Sequence, residues 1–200
     1  NFIINIISTF MKRLILGIAI IFMCNSCKSE TKKENISQNS EVELNKKQEN
    51  RSLFIQLNEK NKSNVIGKAK FEETNGLVQM TVVIKGLSEG IHAIHLHEKS
   101  DCSSDDGKST GGHWNPTAEP HGKWGSDTGF HKGDIGNFNV VKSDDDTEFK
   151  FKSDQWCIGC TDPTKDILGK AVIIHQGTDD YKSQPSGAAG SRVSCGGIIE

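Results

Sequence analysis

A large net charge of either sign, apolar runs of membrane-spanning length and helical periodicity are all missing from this 200-residue chain. Lys and Arg number 24 against 26 Asp and Glu, a net charge of −2 at pH 7. That balance excludes a strongly basic nucleic-acid binder and a polyacidic tail. Prolines number four, and aromatics reach 6%, with three Trp and one Tyr. The most apolar stretch, LILGIAIIFM after Met11-Lys12-Arg13, is about half the ~20 residues that a membrane-crossing helix needs. No segment places apolar residues at helical spacing, so nothing points to an α-helical domain.

A short basic start followed by an apolar run of that size has the dimensions of an export signal. The region after it, Cys24-Asn25-Ser26-Cys27, resembles a bacterial lipoprotein signal with Cys27 as the lipidation candidate. Cys24 stands where such signals usually carry an aliphatic residue, and it follows bulky Met23. The expectation is an export segment over 1–27 and a domain in the periplasm or cell envelope, held to a membrane by a lipid on Cys27. A soluble exported protein is the alternative. The segment NFIINIISTF before Met11 reads as an upstream over-extension of the frame; if translated, it lengthens the apolar stretch towards a retained anchor. Residues 28–50 carry five Lys, five Glu and few aliphatics, too little apolar surface to offset ordering entropy, and read as a disordered polar tether. The folded domain is expected over 51–200, with a net charge of −4.

Four of the six cysteines (Cys102, Cys157, Cys160, Cys195) fall in that domain. In an exported protein they are read first as disulfides, and three pairings are open. Cys157 and Cys160 share the motif CIGC, whose long-range complement is Cys102–Cys195. A CxxC can also be a redox pair or half a metal site. No βαβ pattern supports the first and no second CxxC supports a zinc knuckle, so a local structural disulfide is favoured.

What the domain has in quantity is period two. Leu53, Ile55 and Leu57 share one face of SLFIQLN; Val78, Met80, Val82 and Ile84 share one face of LVQMTVVI; Phe149 and Phe151 share one face of TEFKFK. VIGKAKF, GIHAIHLH, IGNFNVV, ILGKAVIIH and RVSCGGII complete about eight short strands. The expected fold is all-β, an eight-stranded Greek-key sandwich or flattened barrel. Two loops, 98–134 and 176–192, are too long for simple hairpins and read as functional.

Seven histidines are present, and strand parity separates those in GIHAIHLH. His95 and His97 point to one face and can offer two ring nitrogens to one metal; His92 points to the other. His113 in GGHWNP, His121 in HGKW, His131 and Asp134 in FHKGD, and His175 in VIIHQG follow. Imidazole suits copper and zinc, and a carboxylate among imidazoles suits zinc better than Cu(I).

In order and spacing, GIHAIHLHE, Cys102, TGGHWNP, FHKGDIGN, VIIHQGTDD and GAAGSRVSCGGII resemble the copper–zinc superoxide dismutases over essentially all of 51–200. The resemblance implies copper on His95, His97, His113 and His175, and zinc on His113, His121, His131 and Asp134. His113 would then bridge the two as an imidazolate, which is reasonable only between two cations. Asp179 matches a carboxylate linking a copper-ligand ring to a zinc-ligand ring, while Asp180 reads as a solvated loop acid. Arg192 matches an arginine at the open copper position, a landing site for a small anion on a domain that is negative overall. Lys182 is a weaker steering candidate. His92 matches a structural, hydrogen-bonded histidine.

The implied activity is dismutation of superoxide by alternating Cu(II)/Cu(I), with His113 and Arg192 as the catalytic residues and with either a homodimer or a monomer. A periplasmic copper/zinc-binding or metal-delivery protein without turnover is the rival; it would not need the bridge, the zinc set and Arg192 together. CIGC, within the insertion QWCIGCTDPTKD, departs from the best-known members, and the His121–His131 loop is about one residue longer than in many. Trp114 and Trp124 flank ligand positions and are expected to pack over the loop.

Overall fold

The computed structural model describes residues 50–143 and 145–200; the segment expected to direct export, with Cys27, and most of the expected tether lie outside the described residues. Eight antiparallel strands follow in chain order: β1 (Arg51–Glu59), β2 (Ile66–Thr74), β3 (Leu77–Lys85), β4 (Gly90–His97), β5 (Gly136–Val140), β6 (Thr147–Ser153), β7 (Ala171–His175) and β8 (Arg192–Gly197). All eight sequence-predicted strands are present, and the helical content among the described residues is a single 3-10 turn, Lys108–Thr110.

The β2–β3 hairpin shows how local chemistry fixes register. Asn75 and Gly76 both take positive φ (56° and 72°) between the paired residues Thr74 and Leu77. Asn-Gly is the favoured pair for such a turn, because its twist matches that of the flanking strands. With register set, Val78, Met80, Val82 and Ile84 all face inward and are buried.

Strand order is β5-β4-β7-β8-β1-β2-β3-β6. β1 belongs to both halves: Arg51–Leu57 pairs with β2, and Asn58–Glu59 pairs with β8. Chain-adjacent β5 and β6 form the two open edges, with Phe138 and Phe149 5.5 Å apart across the gap. The result is a flattened, nearly closed Greek-key barrel filled by Leu57, Phe71, Met80, Ile94, Leu96, Val172 and Ile174.

All five residues of β7 are buried. Alternation would leave one face of an outer strand wet, so something must cover it. Val172 and Ile174 face the barrel core, while Ala171 and Ile173 pack with Cys195 and Cys102 in a second cluster. His95 pairs with Ile173 and His97 with Ala171, so the two histidines lie on this outer face. The long loops 98–135 and 176–191 connect β4 to β5 and β7 to β8, next to that wall.

Two disulfides are formed, Cys102–Cys195 and Cys157–Cys160. The first ties the longer loop to β8. Trp114 and Trp124 pack differently from a simple loop cover. Trp114 is 3% exposed within the barrel core, under the Lys170 ammonium. Trp124 belongs to an aromatic cluster with Phe130, Phe151 and Trp156.

Candidate metal centre

Strand β4 delivers His95 and His97 to the outer wall, and a bulge at Ile174/His175 sets His175 opposite Arg192. The long loop returns His113, which forms an isolated bridge with His97. It continues through His121 and His131 to Asp134, just before β5. Two groups result: His95, His97, His113 and His175, and His113, His121, His131 and Asp134. Within each, one donor atom per residue lies within 4.8 Å of all the others, and every member is buried. His113 belongs to both.

The hydrogen bonding around the rings is lopsided. His97 Nδ1 lies 3.0 Å from the Gly111 carbonyl, His175 Nδ1 lies 3.4 Å from the Gly190 carbonyl, and His95 Nε2 lies 2.8 Å from Asp179 Oδ2. The opposite nitrogens, His97 Nε2, His175 Nε2 and His95 Nδ1, are buried without a partner, and so is His113 Nε2; His121 Nδ1 and His131 Nδ1 make no well-aligned hydrogen bond and face only the Asp134 carboxylate. One buried orphan costs roughly 1–3 kcal/mol; four orphaned nitrogens, and two more that face one carboxylate oxygen, are donor sets suited to cations. Three imidazoles and a carboxylate suit zinc, and four imidazoles suit copper. The residues fit both metals.

On the carboxylate side, His113 Nδ1, His121 Nδ1 and His131 Nδ1 stand 2.8, 3.0 and 3.1 Å from the same oxygen, Asp134 Oδ1. Asp134 Oδ2 accepts backbone N–H groups from Gly122 and His131, which fixes the carboxylate plane. Asp179 ties the two groups together: Oδ2 meets His95, and Oδ1 meets His121 Nε2 at 2.9 Å and the Tyr181 N–H at 2.7 Å.

Burial sets the proton balance of the metal-free rings. It pulls His97 and His175 well below the usual histidine range, helped by the neighbouring rings, and it also lowers His95. For His113 burial outweighs the pull of Asp134, and with repulsion from His95 and His121 it brings the pKa to about 4. His121 is the exception: burial lowers it, but Asp134 and Asp179 together raise it to about 9. Burial would raise the two carboxylates, yet hydrogen bonds from the histidines hold both well below the usual carboxylate range.

A cleft of about 540 Å³ opens onto the four-histidine group and is lined in part by His97, His113, His175, Asn61, Lys108 and Arg192. Arg192 Nη1 donates to the Gly107 carbonyl and to Thr110 Oγ1. Lys182 is exposed and does not line this cleft; Lys108 does, with Asp106 3.2 Å away. Asp180 is exposed and caps its own turn through Lys182 and Ser183. His92 joins neither group; it is 3% exposed on the opposite face of β4, with Nδ1 3.2 Å from the His175 carbonyl and Nε2 2.9 Å from the Ser88 carbonyl.

Several residues that hold this arrangement carry no sequence signal of a ligand. Asn137 grips the Asp179 backbone through both its amide groups. Gln184 does the same for His121. Gly187 has φ +65°, and a Cβ there would stand 1.8 Å from Asp179 Oδ1.

Residues 65–198 match the copper/zinc superoxide dismutase family. Superoxide dismutase 2 of the Cu-Zn type from Aquifex aeolicus is 37% identical over 139 residues, covering 67% of this chain and 79% of that protein. The extracellular Cu-Zn superoxide dismutase of Haemonchus contortus is 32% identical over 152 residues, covering 73% and 80%. Among solved structures, a double mutant of a SOD-like protein from Bacillus subtilis aligns at a TM-score of 0.65 and 30% identity, covering 74% of this chain and 97% of that one.

Proposed function

The chain belongs to the copper/zinc superoxide dismutase family and is a superoxide dismutase of that type, and from this premise we propose how its own residues carry out the reaction. His95, His97, His113 and His175 would hold copper, which would supply a one-electron couple, and His113, His121, His131 and Asp134 would hold zinc, which would supply a fixed charge of constant oxidation state. The observation that carries the assignment is His113. Its Nδ1 meets Asp134 at 2.8 Å, its Nε2 is buried without a partner, and the ring alone belongs to both groups.

Dismutation turns two superoxide anions and two protons into dioxygen and hydrogen peroxide, so the site must collect anions and deliver protons. Arg192 collects. Its Nη1 is tied down by Gly107 and Thr110, which fixes the guanidinium as a positive edge of the cleft. A domain of net charge −4 repels superoxide overall, and a local field at the mouth reverses that. His113 delivers. Its Nδ1 is held by Asp134, while its Nε2 is unpartnered and the ring lines the cleft, so Nε2 is the atom placed to carry a proton to the bound anion. Asp179 keeps the His95 and His121 rings turned so that their Nδ1 atoms face inward.

The decisive experiment loads the purified protein with both metals and measures stoichiometry and turnover together. One copper and one zinc per chain with cyanide-sensitive dismutation is expected, and His113→Ala should abolish the spectroscopic signature of the bridge and most turnover. Full metal loading without turnover would instead support a metal-delivery protein.

The proposed setting is the periplasm or cell envelope, with the domain anchored by a lipid on Cys27. Two disulfides in the domain support an oxidising compartment. Mass spectrometry of the mature N-terminus tests the anchor: an unmodified N-terminus downstream of Cys27 would remove it.

A further inference from the structure

The insertion that carries CIGC is attached to the zinc-side loop by specific bonds. Trp156, next to Cys157, is 1% exposed, and its Nε1–H donates to the Lys132 carbonyl at 2.9 Å. Lys132 lies between His131 and Asp134, and its ammonium reaches back to the Gln155 amide oxygen. The Trp156 ring stands 5.7 Å from Trp124, which stacks against Phe130, the residue before His131. On its other side the same segment is pinned to β4: the Leu96 N–H donates to the Gly133 carbonyl, and the Gly133 N–H donates to the Trp114 carbonyl, both at 2.9 Å. The four residues 131–134 are thus gripped between the barrel wall and the insertion.

The insertion is itself held firmly enough to act as a support. Arg51 Nη1 donates to the carbonyls of Ile158 and Gly159 at 2.5 and 2.9 Å, and Glu73 Oε2 accepts from the Ile158 N–H at 2.9 Å. Asp166 Oδ1 accepts from the Gly159 N–H at 2.8 Å. The Cys157–Cys160 bridge closes the loop, and Cys157 exchanges backbone bonds with Lys165 and Ile167. Gly159 has φ +64°, and a Cβ there would stand 2.6 Å from Arg51 Nη1, so the turn is shaped around its clamp.

We propose that Trp156, fixed by the disulfide-closed loop, is a positioning residue for His131 and Asp134, so that the insertion tunes how tightly this protein keeps zinc. This rests on the assignment of zinc to His113, His121, His131 and Asp134. Groups that orient ligands from behind are typically worth 10–100-fold in metal affinity, and a bond to the backbone between two ligands belongs at the low end of that range.

The test uses the full chain, with zinc affinity measured by chelator competition and cobalt(II) as a spectroscopic stand-in for zinc. Trp156→Phe keeps a ring and deletes the N–H; it should weaken zinc about tenfold and alter the visible cobalt bands while copper affinity stays unchanged. The double variant Cys157→Ser, Cys160→Ser should move zinc affinity in the same direction. Phe151→Leu thins the same aromatic cluster without touching the Lys132 carbonyl, and should leave zinc affinity and the cobalt spectrum as they are. Wild-type zinc affinity and cobalt bands in Trp156→Phe would overturn the proposal, as would an equal loss in Phe151→Leu. His131→Ala tests the assignment beneath it: unchanged zinc binding there would remove that assignment and the proposal with it, whatever Trp156→Phe does.

Discussion

Replacing Asp179 by Asn should damage the two metal groups unequally. The carboxylate accepts on both oxygens: His95 Nε2 on Oδ2, and His121 Nε2 with the Tyr181 N–H on Oδ1. Asn offers one carbonyl and one NH₂ in the same shape. The carbonyl belongs on the side with two donors, so the NH₂ faces His95 Nε2. That nitrogen must then accept, which moves the ring proton to His95 Nδ1, the atom aimed into the four-histidine group. A proton there has to leave before a metal can bind. Copper affinity should therefore fall about 10–100-fold, or ~1.4–2.7 kcal/mol, while zinc affinity falls less than about tenfold. Competition titrations with chelators selective for each metal measure both numbers. Asp180→Asn, on an exposed residue that only caps its own turn, serves as the control. Unchanged copper affinity, or a zinc loss exceeding the copper loss, would refute the tautomer argument.

Gly187→Ala should mimic and exceed that variant on the zinc side, because its Cβ would stand 1.8 Å from Asp179 Oδ1 and 2.6 Å from His121 Nε2; loss of the downfield His121 ring N–H resonance is the readout. The metal-free protein should lose stability as pH falls from about 6.5 to about 4, because over that window the unfolded chain takes up a proton on His113 that the folded chain refuses. That single group accounts for about 3 kcal/mol, and chemical denaturation at pH 7 and pH 4.5 measures the trend, which His121 opposes only above pH 6.5. Removing the Cys102–Cys195 bridge, whose ends are 93 residues apart, should cost roughly 4–5 kcal/mol in the chain-entropy picture, visible as a lower denaturation midpoint. Arg192→Ala should lower kcat/KM about tenfold and flatten its dependence on ionic strength; a salt dependence equal to that of the wild type would show that the anion is steered from elsewhere.

The parts of this molecule that were legible in the sequence are those where chemistry or geometry demands a residue type. Period two disclosed eight strands, because an inward-facing residue of a barrel has to be apolar. Donor chemistry restricts ligand positions to histidine and aspartate, so the ligand candidates were visible as letters. The positioning devices were not, because they are made of groups that every residue carries or of contacts between distant segments. Lys108, rather than Lys182, lines the cleft only because the loop folds back over β4. Trp156 meets Lys132 across 24 positions, at a backbone carbonyl that any residue would supply. Gly187 is required by the nearness of Asp179, eight positions upstream, and its own neighbours say nothing of that. The tautomers of His97 and His175 are oriented by the carbonyls of Gly111 and Gly190. What selects the metal can be spelled by side chains; what aims the side chains at it is mostly main chain, and becomes visible only once the loops are in place.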